Sequence, residues 1–244
     1  MKQTNLTILE NTRLADGIYR LRLAGDTSAI TAPGQFVNLK LSGFFLRRPI
    51  SVCDWENGKL TLIYKVLGHG TEAMTGMAPG TELDVLTGLG SGFDVSRGGE
   101  HPLLVGGGVG IPPLYGLAKR LTAQGRRVTA VLGFNRKSEI FLAEEFRALG
   151  AEVVIATADG SAGIHGLVTD GMAAVSDYTY LYTCGPEPML KAVYDACKTS
   201  GQFSFEERMG CGFGACMGCS CETKYGNKRI CKDGPVLEKE EIVW

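Results

Sequence analysis

The first part of the chain alternates apolar and polar residues with a period of two. The alternation is clearest at residues 18–23, 35–41 and 59–66, and turn-forming pairs such as Asn57-Gly58 and Pro79-Gly80 separate the runs. Successive side chains of a β-strand point to opposite faces, so this period indicates half-buried strands. Several short strands between turn signals predict an antiparallel barrel or sandwich, which we assign to residues 1–98.

The pattern changes after Gly98-Gly99, where apolar strand-like runs alternate with helix-like stretches. Strands are predicted at residues 102–105, 128–133, 153–156 and 178–182, and helices at 114–124, 139–149 and 187–199. This alternation is typical of a doubly wound parallel sheet, which we assign to residues 99–204. Residues 205–244 show little periodicity. We therefore expect a small C-terminal lobe that something other than a hydrophobic core organises.

Charge and composition exclude several kinds of partner. The chain has 25 Lys and Arg against 26 Asp and Glu, a formal net charge of -1. The chain has no excess of basic residues that would attract nucleic acid and no long run of like charges that would bind a membrane surface. The N-terminus lacks the apolar core of a secretory signal peptide. The longest stretch with few polar residues, residues 102–118, is interrupted by glycines and prolines, which makes it a poor transmembrane helix. We expect a cytoplasmic protein with no transmembrane segment, whose clustered cysteines serve metal or redox chemistry.

Four of the eight cysteines lie within the eleven residues CGFGACMGCSC, from Cys211 to Cys221. The spacing Cys211-x4-Cys216-x2-Cys219 matches the opening of plant-type [2Fe-2S] ferredoxins, whereas a structural zinc site more often uses two C-x2-C pairs. Glycines let the backbone wrap closely around a cluster and aim N–H groups at its sulfur. We predict a [2Fe-2S] cluster with Cys231 as the fourth ligand, ahead of a Lys-Asp-Gly-Pro turn. Zinc is the alternative metal, and Cys221 is a further candidate ligand.

Two stretches of the first segment suit a flavin dinucleotide. The sequence LRRPIS at residues 46–51 follows a predicted strand, and an arginine fork matches a pyrophosphate while a serine hydroxyl can bond a flavin ring nitrogen. The sequence GHGTEAM at residues 68–74 predicts a glycine turn, with Thr71 as the N-cap of a short helix whose free N–H groups favour an anion. Together they predict an FAD site at the barrel rim. A solvated arginine rim beside an ordinary turn is the alternative.

The second segment carries two strand-turn-helix stretches that suit a nicotinamide dinucleotide. The first, LLVGGGVGIPP at residues 103–113, departs from G-x-G-x-x-G, yet its glycines still allow phosphates to approach the backbone at a helix N-terminus. The second, YLYTCGPEPM at residues 180–189, places Cys184 at a carboxyl strand end, beside the crevice where such sheets bind ligands. No His or Asp is placed to make Cys184 a nucleophile. The tip FNRKS at residues 134–138 has no acidic residue and two basic ones, so NAD and NADP both remain open.

The order of these motifs is informative as a set. The sequences PGQF (33–36), RPIS (48–51), GHGT (68–71), GGGVG (106–110) and CGPEPM (184–189) resemble the ferredoxin-NADP reductase superfamily over about the first 200 residues. With CGFGACMGC and the ICKDGPV around Cys231, the chain more specifically resembles the electron-transfer subunits of class B dihydroorotate dehydrogenases over essentially its whole length. Its loop before the last cysteine is shorter than is common in that family.

The resemblance implies a set of cofactors and contact residues. It implies that FAD contacts Arg48, Pro49, Ile50, Ser51, Ile63, Tyr64, Lys65, Gly70 and Thr71. It implies that NAD contacts Gly106, Gly107, Gly108, Gly110, Cys184, Gly185, Pro186 and Met189. It also implies that Cys211, Cys216, Cys219 and Cys231 hold the [2Fe-2S] cluster. Ser51 at the flavin and Cys184 near the nicotinamide are then the expected catalytic residues.

The resemblance also implies a partner. Nicotinamide exchanges two electrons at once and a cluster passes one, so a flavin, which can do both, must lie between them, and the cluster should face outward. In the resembled family the partner is an FMN-containing catalytic subunit that oxidises dihydroorotate in pyrimidine biosynthesis, in a heterotetramer with two copies of each subunit. This chain contains no additional barrel domain that would bind FMN, so we expect it to pass electrons to NAD+ without oxidising dihydroorotate itself.

Two other functions fit the same sequence. A reductase subunit of a sulfhydrogenase or of a ferredoxin-linked transhydrogenase would have the same domains and cofactors but a different partner subunit. A binding module with a reductase-like fold, stabilised by a zinc ion, would transfer no electrons.

Overall fold

The computed structural model describes residues 1–244, and its N-terminal part is a closed antiparallel barrel. Six strands build it: β1 (Lys2–Ala15), β2 (Ile18–Ala24), β3 (Phe36–Leu39), β4 (Arg48–Glu56), β5 (Lys59–Lys65) and β6 (Glu82–Leu89). Their order around the barrel is β1-β2-β5-β4-β3-β6. Alternate side chains such as Leu6, Leu21 and Val37 fill the interior. The predicted antiparallel barrel is confirmed.

The rest of the chain supplies nine further strands. They are β7 (Pro102–Gly107), β8 (Thr129–Phe134), β9 (Glu152–Thr157), β10 (Ile164–His165), β11 (Tyr180–Cys184), β12 (Gly201–Ser204), β13 (Ser220–Thr223), β14 (Gly226–Arg229) and β15 (Val236–Glu238). Seven of them form one sheet in the order β10-β9-β8-β7-β11-β12-β15, while β13 and β14 pair as a separate hairpin. The sheet is parallel from β10 to β12, which confirms the predicted parallel sheet.

Five helices accompany these strands. They are α1 (His69–Thr75), α2 (Ile111–Ala123), α3 (Ala143–Ala148), α4 (Val168–Ala173) and α5 (Glu187–Ala196). Short 3₁₀ turns lie at Gly108–Gly110, Lys137–Glu139 and Lys239–Glu241. None of the helices combines the length and the apolar character needed to span a bilayer.

The strand order creates a crevice between β7 and β11. The chain leaves β7 toward β8, β9 and β10 on one side and then returns to β11 on the other. The connections that follow β7 and β11 therefore run in opposite directions and leave a gap at the carboxyl ends of these two strands. Both strand-turn-helix stretches singled out in the sequence end at this gap.

Two predictions of local structure were wrong in part. The helix predicted over residues 139–149 begins only at Ala143, because Leu142 has a φ of 62°, outside the helical region, and ends the preceding segment. The C-terminal lobe is also more regular than its sequence indicated. It contains the β13–β14 hairpin, sends β15 back to pair antiparallel with β12, and buries Cys219, Ile230 and Cys231 in the apolar cluster of the parallel sheet.

Candidate functional site

A cleft of about 510 Å³ opens at the carboxyl ends of β7 and β11. We call it the glycine cleft, after the turns that line it. Six of the eight residues predicted to contact a nicotinamide dinucleotide line it: Gly107, Gly108, Gly110, Gly185, Pro186 and Met189. Gly106 lies beneath it, where a Cβ atom would approach Ile111 and Leu114 at 2.9 Å. Cys184 lies in an adjoining cleft.

Glycine is required at position 110 because two backbones touch there. A Cβ atom on Gly110 would overlap the carbonyl group of Cys184, and one on Gly185 would overlap the Met189 side chain. Gly110 has an ordinary φ of -77°, so the requirement comes from close approach and not from an unusual dihedral angle. The glycine turn after β7 thus packs directly against the loop after β11.

A second cleft, of about 210 Å³, lies between the barrel and the parallel sheet. We call it the barrel cleft. Seven of the nine residues predicted to contact a flavin line it: Pro49, Ile50, Ser51, Ile63, Tyr64, Lys65 and Thr71. Arg48 and Gly70 are in contact at the start of α1, because a Cβ atom on Gly70 would overlap the Arg48 guanidinium. The guanidinium carbon of Arg48 also lies 4.7 Å from the centre of the Phe44 ring. The RPIS strand and the α1 turn therefore meet, as the sequence predicted.

The two clefts are continuous. Six residues line both of them: Lys65, Leu67, Val109, Gly110, Gly185 and Glu206. An extended molecule in the glycine cleft would therefore reach a ring held in the barrel cleft.

The structure changes the local role of Thr71 in the barrel cleft and defines that of Tyr64. The N-cap of α1 is Gly68, not Thr71 as predicted; the Thr71 hydroxyl sits at the third helical position and accepts hydrogen bonds from the N–H groups of Leu67 (2.9 Å) and Gly68 (3.2 Å). The Tyr64 ring is buried, and its hydroxyl donates to Asn11 at 3.1 Å. Burial raises the pKa of Tyr64 to about 12, so this side chain is a neutral wall of the site.

Cys184 lies at the end of β11 in the barrel cleft, with Ser204 and Glu206 beside it. Burial raises the pKa of its thiol to about 12, with Glu206 acting in the same direction and a hydrogen bond to Ser204 acting against it. The thiol is therefore neutral and a poor nucleophile, as the sequence indicated. Ser204 and Glu206 were missed because β12 itself was not predicted; once that strand is known, the carboxyl-end rule points to both.

Three backbone N–H groups of the cysteine loop point at the sulfur of Cys211. They belong to Phe213 (3.5 Å), Ala215 (3.3 Å) and Cys216 (3.4 Å). Partial burial raises the pKa of the Cys211 thiol, but hydrogen bonds from Phe213, Cys216 and Ala215 outweigh that effect and lower it to about 6. The loop is thus shaped to stabilise a thiolate.

The four predicted ligands lie in this loop and its neighbour as two pairs. The N–H of Cys211 points at the sulfur of Cys216 (3.5 Å), and the N–H of Cys231 points at the sulfur of Cys219 (3.4 Å). No group of three or more Cys, His, Asp or Glu side chains is gathered around one point as ligands of a single metal ion. Cys221 faces elsewhere, into a pocket with Glu222 and Trp244.

Two side chains outside the loop hold it in place. Arg229 donates to the carbonyl of Gly214 at 2.9 Å and forms an ion pair with Asp233 at 3.0 Å, joining the two halves of the lobe. Asn38, which is fully buried on barrel strand β3, donates to the carbonyl of Cys211 at 3.4 Å. Its side-chain oxygen has no partner. Neither residue was predicted, because their roles depend on contacts distant in sequence.

An acidic residue also lies where the sequence indicated none. Glu139 is beyond the tip at residues 134–138, but the 3₁₀ turn Lys137–Glu139 folds it back to line the glycine cleft together with Asn135. The sequence prediction that left NAD and NADP open rests on residues 134–138 and does not include Glu139.

Comparison with known proteins matches both halves of this site. Residues 206–243 match the family model described as the iron-sulfur cluster binding domain of dihydroorotate dehydrogenase B, and residues 104–195 match the oxidoreductase NAD-binding domain. The electron transfer subunit of dihydroorotate dehydrogenase B (NAD(+)) from Shouchella clausii is 45% identical over 99% of this chain and 98% of its own length. The corresponding subunit from a Geobacillus strain is also 45% identical, over 100% of this chain and 99% of its own length.

A solved structure shows the same architecture. The structure of an NADH-dependent reduced ferredoxin-NADP oxidoreductase, described in connection with flavin-based electron bifurcation, superposes with a TM-score of 0.90 at 29% identity. The match covers 98% of this chain and 90% of that one. From the full-length identity, the glycine and barrel clefts and the cysteine loop, the chain belongs to the family of electron transfer subunits of dihydroorotate dehydrogenase B.

Proposed function

We propose that this chain carries electrons from a dihydroorotate-oxidising partner subunit to NAD+, through a [2Fe-2S] cluster in the cysteine loop and an FAD in the barrel cleft. Full-length identity of 45% to electron transfer subunits of dihydroorotate dehydrogenase B supports the assignment. In the proposed arrangement, residues 1–98 hold FAD, residues 99–204 hold NAD and residues 205–244 hold the cluster.

One observation carries the proposal: the three sites adjoin in the order that electron transfer requires. The barrel cleft shares six lining residues with the glycine cleft on one side. On its other side, strand β3 places Phe36 in the lining of the barrel cleft and Asn38 against the carbonyl of Cys211. The barrel cleft therefore lies between the nucleotide site and the cysteine loop, where a flavin would link a two-electron carrier to a one-electron carrier.

The residues of the barrel cleft fit a flavin. Strands β4 and β5 present Pro49, Ile50, Ser51, Ile63, Tyr64 and Lys65 to it. Arg48 beside Gly70 and Thr71 supplies a guanidinium for the pyrophosphate. The Ser51 hydroxyl can donate to or accept from a ring nitrogen. Mostly apolar walls would keep bulk water from the reacting face.

The glycine cleft fits a dinucleotide for a steric reason. Gly107, Gly108 and Gly110 leave the start of α2 uncovered by side chains, and Gly185 does the same on the facing loop. Pro112 and Pro113 have no N–H and the Ile111 N–H bonds the carbonyl of Gly108, so the glycine turn itself, and not the first turn of α2, is where phosphate would approach backbone N–H groups. Cys184 and Glu206 lie where the two clefts meet, and the neutral Cys184 thiol can contact the nicotinamide without reacting with it. Ser51 and Cys184 thus flank the proposed position of hydride transfer.

The cysteine loop fits a two-iron cluster better than a single zinc ion. A [2Fe-2S] cluster needs two cysteines on each iron, and the loop offers the pairs Cys211–Cys216 and Cys219–Cys231. The three N–H groups aimed at Cys211 are of the kind that tune such clusters. These four cysteines would hold the cluster.

The partner proposed here is the FMN-containing catalytic subunit, in an assembly with two copies of each chain. The family name of electron transfer subunit implies a catalytic partner. The cysteine loop also exposes two large apolar side chains, Phe213 and Met217, that a neighbouring subunit could cover.

The test is reconstitution with a candidate partner. The chain, purified anaerobically with flavin, iron and sulfide, should combine with an FMN-containing dihydroorotate dehydrogenase catalytic subunit of the same source to give dihydroorotate-dependent formation of NADH. The chain alone should reduce a dye with NADH but leave dihydroorotate unchanged. A stable complex that forms no NADH from dihydroorotate would refute the proposal.

A second candidate is a subunit of a ferredoxin-linked transhydrogenase. The likeness to the NADH-dependent reduced ferredoxin-NADP oxidoreductase, with a TM-score of 0.90, favours it. This function requires a partner that exchanges electrons with ferredoxin and NADP. Copurification of the native complex separates the two, since only the first candidate predicts FMN and dihydroorotate oxidation in the partner.

A further inference from the structure

We infer that Arg229 sets the reduction potential of the cluster by fixing the peptide unit between Gly214 and Ala215. The inference rests on the proposed function, because it requires a [2Fe-2S] cluster on the four cysteines of the loop. The Arg229 side chain bonds Gly214 and Asp233 and none of the four cysteine sulfur atoms. It is therefore a positioning residue that acts through the backbone.

One peptide unit connects Arg229 to the sulfur of Cys211. Nη1 of Arg229 donates to the carbonyl oxygen of Gly214 at 2.9 Å, and the N–H of Ala215 points at the Cys211 sulfur at 3.3 Å, the shortest of the three N–H distances to that atom. The C=O and N–H groups of a trans peptide point in opposite directions. A hydrogen bond at the carbonyl therefore fixes the direction of the N–H and also polarises it, which strengthens its bond to sulfur.

Gly214 also acts on the second cysteine pair. Burial raises the pKa of the Cys231 thiol, and the N–H of Gly214 acts against that rise. Gly214 has a φ of 91°, in the left-handed region that favours glycine. Two successive peptides thus direct N–H groups toward Cys231 and Cys211, and Arg229 holds the residue at which they meet.

Asp233 keeps the guanidinium of Arg229 in place. Its carboxylate accepts from Nε of Arg229 at 3.0 Å, from Nη2 at 3.3 Å and from the backbone N–H of Arg229 at 3.0 Å, which leaves Nη1 for Gly214. A planar guanidinium binds a carboxylate and a carbonyl at once in fixed directions, whereas a lysine ammonium has no such fork. Because Asp233 balances the charge of Arg229, the pair acts mainly through the peptide and only weakly through net charge.

The sign of the effect follows from the charge of the reduced state. Reduction adds one electron, and so one negative charge, to a group held by four thiolates. N–H groups aimed at the sulfur atoms stabilise that added charge. Arg229 therefore raises the reduction potential, and its removal should lower the potential.

The experiment is a redox titration of the full chain loaded with FAD and cluster, with dithionite as the reductant and the EPR signal of the reduced cluster as the readout. The test variants are Arg229→Lys, which keeps the charge and loses the fork, and Arg229→Gln, which loses the charge. Arg147→Lys is the first control, since it makes the same change at an arginine paired with Glu144 on helix α3. Lys224→Gln is the second, since it removes a positive charge from the turn of the β13–β14 hairpin. Iron and sulfide content is measured for every protein.

We expect both Arg229 variants to keep the wild-type iron content and to lower the equilibrium constant for one-electron reduction by roughly tenfold, the effect of one charge-assisted hydrogen bond. For a one-electron couple this change lowers the potential by about 59 mV. Both controls should leave the potential unchanged.

An unchanged potential in an Arg229 variant that retains the cluster would overturn the inference. Loss of the cluster from both Arg229 variants would overturn it as well, because Arg229 would then only hold the loop together. A wild-type chain without the EPR signal of a reduced [2Fe-2S] cluster would instead overturn the proposed function.

Discussion

At the scale of single residues, glycines set the distances between the proposed redox sites. Gly110 lets the turn after β7 touch the backbone of Cys184. Gly212, in the cysteine loop, has a φ of 77° and lies so close to the barrel that a Cβ atom would overlap the side-chain nitrogen of Asn38. The first requirement is steric, and the second is steric and conformational together.

We predict that Gly212→Ala loses the cluster while it keeps the flavin. The left-handed φ costs an alanine about 1 kcal/mol, and the overlap with buried Asn38 adds about 1–3 kcal/mol, as for overpacking. Iron and sulfide content should fall to a small fraction of the wild-type value, with FAD content unchanged. Gly226→Ala is the control, since Gly226 also has a positive φ but has open space around it. Equal iron content in the two variants would contradict the predicted overlap.

At the scale of elements, a bulge shapes the first barrel hairpin. The register of β1 against β2 shifts between Ile8 and Glu10. The Glu10 carboxylate accepts from Arg20 at 2.7 Å, from Arg22 at 3.3 Å and from the Thr12 hydroxyl at 2.7 Å. Hydrogen bonds from Arg20 and Thr12 lower the pKa of Glu10 to about 2. The carboxylate thus ties the bulged strand to its neighbour.

This pairing predicts an acid-dependent contribution to stability. The folded-state pKa is below that of the unfolded chain, 4.5, so the contribution is complete above about pH 4.5 and is lost as the pH falls toward 2. After allowance for solvent screening of a partly exposed group, Glu10→Gln should lower the free energy of unfolding by about 1–2 kcal/mol at pH 7 and by much less at pH 3. Urea unfolding at the two pH values measures this. Glu100→Gln, at an exposed carboxylate without an ion pair, should show no such change, and a pH-independent effect of Glu10→Gln would contradict the assignment.

At the scale of the whole molecule, helix α2 fixes the barrel against the parallel sheet. Lys119 forms ion pairs with Asp54 at 2.9 Å and Glu56 at 3.0 Å, and Arg120 stacks on the Trp55 ring at 3.6 Å from its centre. Gly116 faces the barrel so closely that a Cβ atom would lie 2.6 Å from the carbonyl oxygen of Cys53. Because α2 begins at the glycine turn, this contact also aligns the two clefts.

We predict that Gly116→Val slows flavin reduction by NADH more than it lowers flavin content. The added side chain must push α2 away from β4, which costs about 1–3 kcal/mol of stability and separates the two clefts. Stopped-flow measurement of flavin absorbance after mixing with NADH gives the rate. Ala123→Ser, at an exposed position on α2, is the control. A folded Gly116→Val variant with the wild-type rate would show that α2 does not set this alignment.

Sequence reasoning succeeded where a signal was local. The period of two in the first segment and the alternation of strands, glycine turns and helices in the second each depend on residues near one another in the chain, and the barrel and the parallel sheet follow from them. The four cysteine ligands stay a prediction. Sequence reasoning failed where a backbone detail or a distant neighbour decided the outcome. Leu142 delayed helix α3, and Gly68 rather than Thr71 caps α1.

The order of motifs by itself determined the family, the fold class and the kinds of site present, because hydrophobic period, turn residues and ligand spacing are properties of the chain. Only the tertiary structure decided which side chains meet. It placed Asn38 against Cys211, folded Glu139 into the glycine cleft and set Glu206 beside Cys184. These contacts join separate elements, and their geometry depends on how the barrel, the sheet and the lobe pack together, which no local pattern encodes.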